Sequence, residues 1–293
     1  MRKMILFAGV LTLSLAGCGQ DPEPTDEEYI LQVLANSPLA QSGNLDGTGG
    51  SGTAKDVALP EGWYRQLTGL GQLDLVFEND PATGICTVTV QRPLLADMYI
   101  DVVWDGEWTP GTKTINAMRI RRAVLEKVED SSLPYGGWTL AAITPAEFAN
   151  SSGSTAAQEV YITGMSLYSG DSLLWACASP DSFYDVETSL PTIEMGSMYR
   201  LEVEVTHDNP VEMPPYFVYG HGPMPDWQRH LLYDDGTMGD LVAGDGVYSY
   251  EWYAEDTIDP RVIAADVIDA DVMADQTEQD YDSGAWTIPF IAQ

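Results

Sequence analysis

Hydrophobic and polar residues alternate along most of this chain in short runs, which is the pattern of half-buried β-strands. Between Leu201 and Thr206, aliphatic residues occupy every second position and polar residues fill the others, so we expect one buried and one exposed face. Seven such segments follow residue 156, and turn-forming residues separate them. Their number and spacing predict a β-sandwich over residues 156–293, with strands near 160–165, 198–205, 216–219, 228–233, 248–253, 262–267 and 286–291.

The first half of the chain combines one helical pattern with several strand patterns. Residues 27–35 carry Ile30, Leu31 and Leu34 at helical spacing, and Asp26 is expected to cap this helix. The strand patterns then cover 73–77, 86–91, 98–104, 114–128 and 136–143. We therefore predict an α+β domain over residues 56–150, in which a helix lies on a curved antiparallel sheet.

The best of these strand patterns, 114–128, is also rich in basic residues, among them Arg119 and Arg121. The alternation of polar and apolar residues loses its parity just before Ile120. A β-bulge would produce this slip, because the extra residue shifts every following side chain to the other face.

Glycine and serine mark the connections between these parts. Residues 41–53 read QSGNLDGTGGSGT, which favours a flexible linker over a metal-binding loop. Residues 150–157, NSSGSTAA, predict a second linker. The predicted organisation is a leader over residues 1–18, a spacer with the short helix and the glycine-rich loop over 19–55, and the two domains.

Residues 121–130, RRAVLEKVED, precede GWTLAAITP at 137–145. This pair resembles the last two strands of NTF2-like domains, in which an arginine-rich strand precedes a Gly-Trp-x-Leu strand. The resemblance covers at most residues 26–150. It implies a cone-shaped fold with a pocket that serves either catalysis or ligand binding.

The N-terminus predicts a lipid anchor. Arg2 and Lys3 precede the apolar stretch 4–13, and Leu15-Ala16-Gly17-Cys18 follows it. This arrangement resembles a bacterial lipoprotein signal peptide, which implies that Cys18 carries lipid and attaches the protein to a membrane. Gly19 stands where an aspartate would resemble an inner-membrane retention signal. We therefore expect an outer-membrane or cell-surface location in the cell envelope.

The composition describes a folded and strongly acidic protein. The 293 residues have a formal net charge of -32, yet 8 Trp and 15 Tyr are available to build a core. Nucleic acid is excluded as a partner, because phosphate binding needs clustered basic residues on an accessible face. Divalent cations are the partners that such a surface attracts.

Besides Cys18 the chain has two cysteines, Cys86 and Cys177. An even pair in an oxidising compartment is consistent with a disulfide. The apolar residues around each cysteine suit two separately buried thiols equally well. The sequence leaves both interpretations open.

The most distinctive internal motif is DDGTMGDLVAGDGVY at residues 234–248. Glycines allow tight turns, and Asp234, Asp235, Asp240 and Asp245 then supply oxygen atoms of the kind that calcium prefers. The spacing is not that of an EF-hand. Residues 232–249 resemble the D-D-G-x-x-x-D-x-x-A-G-D-G-x-Y-S segment of Ig-like domains in bacterial secreted and surface proteins. We predict either a calcium site or aspartates that only cap turns.

Other candidate residues give weaker signals. The three histidines, His207, His221 and His230, are more typical of structural positions than of catalysis. No Gly-x-Ser-x-Gly, His-Glu-x-x-His or phosphate-loop motif is present. Four tryptophans have the side chains to line a carbohydrate-binding cleft, although core packing is the more usual role of tryptophan: Trp63, Trp104, Trp108 and Trp138.

These observations favour an envelope lipoprotein with a non-catalytic binding, adhesion or structural role and a protein or glycan partner. The alternative is an enzyme, or a binder of small ligands or carbohydrates, that uses a pocket in the first domain. In that case Arg119, Arg121 and Trp138 are expected near the pocket lining.

Overall fold

The computed structural model describes most of the chain after the predicted leader. It describes residues 23–41, 47–49, 53–54, 57–58, 62–80, 82–102, 107–130, 132–151, 158–208, 216–222, 228–254, 262–275, 277 and 281–293. Four sequence predictions therefore fall on residues outside these ranges: the lipid attachment at Cys18, the candidate residue Trp104, most of the loop 41–53, and most of the linker 150–157.

The described helices are short: α1 (Asp26–Asn36), α2 (Pro38–Gln41) and α3 (Ala270–Ala274). The predicted helix 27–35 is confirmed as α1, but its cap is Thr25 rather than Asp26. The Thr25 hydroxyl accepts from the Glu28 amide at 3.3 Å, and the Glu28 carboxylate accepts from the Thr25 amide at 2.7 Å. This reciprocal capping box satisfies amide groups that the first helical turn would otherwise leave unpaired. None of the described helices is both long enough and apolar enough to cross a membrane.

The described strands before residue 151 are β1 (Gly47–Gly49), β2 (Thr53–Ala54), β3 (Val57–Ala58), β4 (Gly62–Leu70), β5 (Asp74–Asp80), β6 (Ile85–Asp101), β7 (Gly111–Lys127), β8 (Trp138–Ile143) and β9 (Ala146–Asn150). Those after residue 158 are β10 (Val160–Ser169), β11 (Ser172–Cys177), β12 (Tyr184–Asp185), β13 (Thr192–Ile193), β14 (Met198–His207), β15 (Tyr216–His221), β16 (Gln228–Leu231), β17 (Val247–Tyr253), β18 (Val262–Asp269), β19 (Ser283–Pro289) and β20 (Ile291–Ala292). Each strand predicted after residue 156 overlaps one of these, whereas β11, β12 and β13 were not predicted.

Among the described residues, strands from both halves of the chain form one curled sheet of 12 strands. Its order is β12-β8-β7-β9-β19-β18-β15-β16-β1-β4-β6-β5, and β6 also pairs with β7. That additional pairing closes the sheet on itself. The ring consists of nine strands in the order β7-β9-β19-β18-β15-β16-β1-β4-β6. Strands β5 and β8 pair with the β6–β7 hairpin outside this ring.

The predicted fold class is wrong. Strands make up 58% of the structure and helices 10%, and no α+β domain with a helix laid on a sheet is evident. The physical reason is that the sheet does not end with the first half of the chain. Its strand β9 pairs with β19, so Phe148 lies opposite Ala285 and the hydrogen bonding continues into the second half.

The predicted bulge before Ile120 is absent from the β6–β7 pairing. The register runs without a shift from Ile85 opposite Glu126 to Ile100 opposite Gly111. Odd-numbered residues of β7 therefore point to the buried side from Lys113 to Leu125. Arg119 and Arg121 consequently share the face that carries Ile115 and Leu125.

A second sheet of four strands, β11-β10-β14-β17, packs against the curled sheet. This all-β packing is compatible with a β-sandwich. The apolar side chains between the two sheets form what we call the inter-sheet core, which includes Val88, Leu125, Val160, Leu201, Trp252 and Ile288. Cys86 and Cys177 both belong to this core and are free thiols.

The closed part of the curled sheet encloses another cluster, which we call the ring core. Its side chains come from nearly every strand of the ring and include Trp63, Met98, Ile115, Phe148, Tyr219 and Ile268. Helix α3 contributes Val272 and Met273 to the same cluster. Burial of these apolar side chains supplies the main driving force for closing the sheet.

A buried ion group crosses the ring core. The Asp266 carboxylate on β18 contacts Arg65 of β4 at 2.8 Å and Arg229 of β16. Arg65 also donates to the Tyr281 hydroxyl at 3.0 Å. Desolvation alone would raise the pKa of Asp266, but the two guanidinium charges outweigh it and leave that pKa lowered. The group therefore links the two halves of the chain through a charged carboxylate.

Replacing Asp266 with asparagine is expected to lower the free energy of unfolding by about 3–5 kcal/mol, because it removes the charge that both buried guanidinium groups contact. Urea denaturation followed by tryptophan fluorescence measures this loss. The matched control is Asp181→Asn, which breaks the exposed Arg122–Asp181 pair of 3.0 Å and should cost less than about 1 kcal/mol. Equal losses in the two variants would contradict a special role for the buried group.

Candidate functional site

A cleft opens where the β6–β7 hairpin leaves the ring. Its volume is about 460 Å³, within the usual range of ligand pockets. Helices α1 and α2 form one wall, and the start of β5 and the middle of the hairpin form the others. The apolar lining residues are Leu31, Leu34, Ala35, Ala40, Leu73, Leu75, Val90 and Ala123. Leu31 and Leu73 are 38% and 41% exposed, so the mouth of the cleft is itself apolar.

Three arginines complete the lining: Arg92, Arg119 and Arg121. They interrupt the buried face of the hairpin between the ring core and the inter-sheet core. Arg92 on β6 lies directly opposite Arg119 on β7. Cross-strand neighbours of like charge destabilise a sheet, so this arrangement has a local energetic cost.

Arg121 has a structural role in the cleft. Its guanidinium donates to the Leu39 carbonyl at 2.8 Å and to the Thr287 carbonyl of β19 at 3.2 Å. These bonds connect α2 to the ring. Arg119 reaches the Ala40 carbonyl only at 3.5 Å. The Nε atom of Arg92 is buried and has no hydrogen-bond partner.

The electrostatics of these arginines follow from burial and mutual repulsion. Burial, and then the charge of Arg92, lower the pKa of Arg119 to about 10. Burial, and then the charge of Arg119, lower the pKa of Arg121. No carboxylate is among the described residues that line the cleft. The charged side chains among the described lining residues are thus all arginines, in a protein whose net charge is -32.

The structure brings together three of the four predicted metal ligands. Carboxylate oxygens of Asp234, Asp240 and Asp245 lie within 4.8 Å of one another. Asp235 is not in this group. Its carboxylate instead accepts from the backbone amide and the hydroxyl of Thr237, at 2.9 and 2.6 Å.

The same carboxylates also cap turns. Asp234 accepts from the amides of Gly244 and Gly246, at 2.6 and 3.2 Å. Asp240 accepts from the amide of Gly236 at 2.6 Å, and Asp245 from that of Val247 at 3.0 Å. A carboxylate offers about four acceptor positions, so these bonds leave oxygen lone pairs for a cation. Carboxylate oxygens are among the ligands that calcium takes in proteins.

The predicted tryptophan cleft does not form from the described residues. Trp63 is buried in the ring core against Tyr219, with ring centroids 5.1 Å apart. Trp138 belongs to the inter-sheet core and donates to Asp26 at 3.0 Å, so it does not line the arginine cleft. Trp108 is 49% exposed beside Tyr64. Trp104 lies outside the described residues.

The histidines occupy packed positions. His207 lies 2.8 Å from the Asp269 carboxylate, and His230 stacks on Tyr250 with centroids 5.0 Å apart. His221 is buried at the end of β15. None of the three is among the residues that line the cleft.

No known family model matches this chain, and no curated protein matches it significantly. The site is therefore interpreted from its own geometry. The sequence analysis placed Arg119 and Arg121 near a pocket but missed Arg92. The signal was present, because Arg92 continues the alternate positions of Cys86, Val88 and Val90 on β6.

Proposed function

We propose that this chain is a lipid-anchored protein of the cell envelope that binds a small, largely apolar molecule in the cleft under α1 and α2, and does not transform it. The observation that carries the proposal is the cleft itself. It combines an apolar lining with a few polar groups at one side, which is the usual make-up of a small-molecule site.

The chemistry of the lining supports binding over catalysis. Its described residues are aliphatic or arginine, and Arg119 stays protonated near neutral pH because its pKa is lowered only to about 10. Such side chains neither accept protons nor attack a substrate under these conditions. They do orient an apolar ligand and hold a polar end.

Filling the cleft should abolish binding. Ala35 lies on α1 at the cleft wall, and its exposed position tolerates a larger side chain without disturbing either core. We expect Ala35→Trp to lower the affinity for the uncharged fluorophore Nile red at least about tenfold, because the indole occupies the binding volume. Fluorescence titration of the full chain, kept soluble by a non-ionic amphipathic polymer, measures this change.

The control is Asn36→Trp, which adds the same side chain one position further along α1, outside the lining. It should bind the fluorophore as the unmodified chain does. Absence of saturable binding in the unmodified chain, or equal binding by the two tryptophan variants, would contradict the proposed cleft.

The anchoring half of the proposal rests on residues 1–18, and its support is the Leu-Ala-Gly-Cys motif that ends at Cys18. We expect Cys18→Ser to prevent lipid attachment and to leave an unprocessed leader. Metabolic labelling with a radioactive fatty acid, with intact mass measurement, tests this in a bacterial host. Equal labelling of the variant and the unmodified chain would contradict attachment at Cys18.

We also propose that the acidic loop binds calcium, a proposal supported by the convergence of the three carboxylates Asp234, Asp240 and Asp245. Three carboxylates within 4.8 Å of one another repel each other. A bound ion would offset that repulsion and rigidify the loop between β16 and β17.

Calcium is expected to raise the thermal unfolding midpoint, and a chelator should reverse the rise. With calcium at a hundred times its Kd, the gain corresponds to about 2.7 kcal/mol. The double variant Asp240→Asn with Asp245→Asn should lose the effect, since it keeps oxygen acceptors for the backbone amides but removes two charges. Asp235→Asn should keep it. Midpoints that do not respond to calcium would leave these aspartates with a turn-capping role only.

A further inference from the structure

A buried carboxylate connects the two sheets of the fold. Asp282 immediately precedes β19 of the curled sheet and is only 5% exposed. One of its carboxylate oxygens accepts from the amide of Glu159 at 2.7 Å, just before β10 of the four-stranded sheet. The other lies 3.4 Å from the side-chain nitrogen of Asn150, at the end of β9. A single side chain therefore contacts segments that lead into both sheets.

The main chain around Asp282 strengthens the same connection. The Asp282 carbonyl accepts from the Asp269 amide at 3.1 Å, and the Tyr281 carbonyl accepts from the Asn150 side chain at 3.0 Å. Asp269 ends β18 and caps α3, because its carboxylate accepts from the Asp271 amide at 2.7 Å. We call the following four residues the sheet joint: Asn150, Glu159, Asp269 and Asp282.

The charged groups around Asp282 are mostly acidic. Asp269 is a second carboxylate of the joint, and it lies 2.8 Å from the Nε2 atom of His207. Among the described residues, no arginine or lysine forms an ion pair with Asp282. The titratable groups near Asp282 come from the elements packed around it: Glu159 and Tyr161 at the start of β10, His207 and Asp208 at the end of β14, Asp269 at the end of β18, the exposed Asp271 of α3, and Tyr281 before β19.

These surroundings act on the proton affinity of Asp282. Burial raises the pKa of Asp282 to about 6; the Glu159 amide offsets part of this rise, and the charge of Asp269 adds to it. An aspartate in an opened or unfolded chain has a pKa of about 3.9. Because the pKa is higher in the folded state, the stability that Asp282 contributes is fully present below about pH 4 and is lost as the pH rises through about 6.

We propose that Asp282 is a pH-sensitive clasp between the two sheets, in which a proton on its carboxyl group holds the sheet joint closed and loss of that proton loosens it. The protonated group still offers an oxygen to the Glu159 amide and buries no charge. The ionised group keeps this bond but places a negative charge in a buried site beside Asp269. The clasp depends neither on the arginine cleft nor on the acidic loop.

The variant Asp282→Asn tests the clasp, because asparagine has nearly the shape of the protonated carboxyl group and does not titrate. Hydrogen exchange with mass spectrometry of the full chain, in the non-ionic polymer, gives the protection of the peptide that contains Glu159 and Val160. We expect the ratio of protection factors, variant to unmodified chain, to rise about 20-fold between about pH 4.5 and 7.5, because only the unmodified chain loses the proton. His207 is present in both chains, so its own titration cancels in this ratio.

The matched control is Asp181→Asn, at an aspartate whose side chain is 63% exposed and pairs with Arg122. Its ratio of protection factors to the unmodified chain should stay within about twofold over the same pH range, as is usual for a surface substitution. A rise equal to that of Asp282→Asn would overturn the assignment of the pH response to the sheet joint.

Two results with the Asp282→Asn variant contradict the clasp. One is a ratio that does not change with pH. The other is lower protection in the variant at every pH, including pH 4.5, because the joint would then need the ionised carboxylate and not the proton.

The unmodified chain supplies a measurement that does not depend on the folding of any variant. Within one sample, the protection of the Glu159–Val160 peptide is compared with that of a peptide from the middle of β7, which lies outside the sheet joint. We expect protection at the joint to fall relative to β7 as the pH rises from 4.5 to 7.5. A constant relation between the two peptides would overturn the proposal.

Discussion

The unbroken antiparallel pairing of β6 with β7 is the constraint on which the rest of the structure depends. Its register runs from Ile85 opposite Glu126 to Ile100 opposite Gly111 without a shift. Side chains alternate strictly between the faces of a strand, so one register decides the position of every residue in the hairpin. It sends apolar residues to the inside at both ends of the hairpin, and arginines to the inside in the middle.

The same hairpin makes one sheet out of two halves of the chain. The part of the hairpin near its connecting turn belongs to the ring. In the ring, Asp266 contacts Arg65 of the first half of the chain and Arg229 of the second half. The other end of the hairpin pairs with β5 and β8 outside the ring. Side chains on the buried face of this end belong to the inter-sheet core. Closing the sheet removes most of its free edges, which protects long strands from pairing with other chains.

The arginines of the cleft conflict with local stability. Desolvation and repulsion both act against their charged state, and the lowered pKa of Arg119 reflects this. Natural proteins tolerate such conflicts mainly at functional sites, where a ligand relieves them. In the ion group around Asp266, a buried carboxylate supplies the counter-charge for the buried guanidinium group of Arg65.

The sequence by itself determined the local elements, because the alternation of apolar residues and the helix-start signals depend only on neighbours along the chain. It located α1, most of the strands and the acidic turn, and it associated Arg119 and Arg121 with a pocket. It indicated the wrong fold class and a bulge that the β6–β7 pairing lacks. The reason is that the pairing of β9 with β19 and the β6–β7 register depend on residues far apart in sequence. Only the tertiary structure placed Arg92 opposite Arg119, because the register of the partner strand decides which residue faces Arg119.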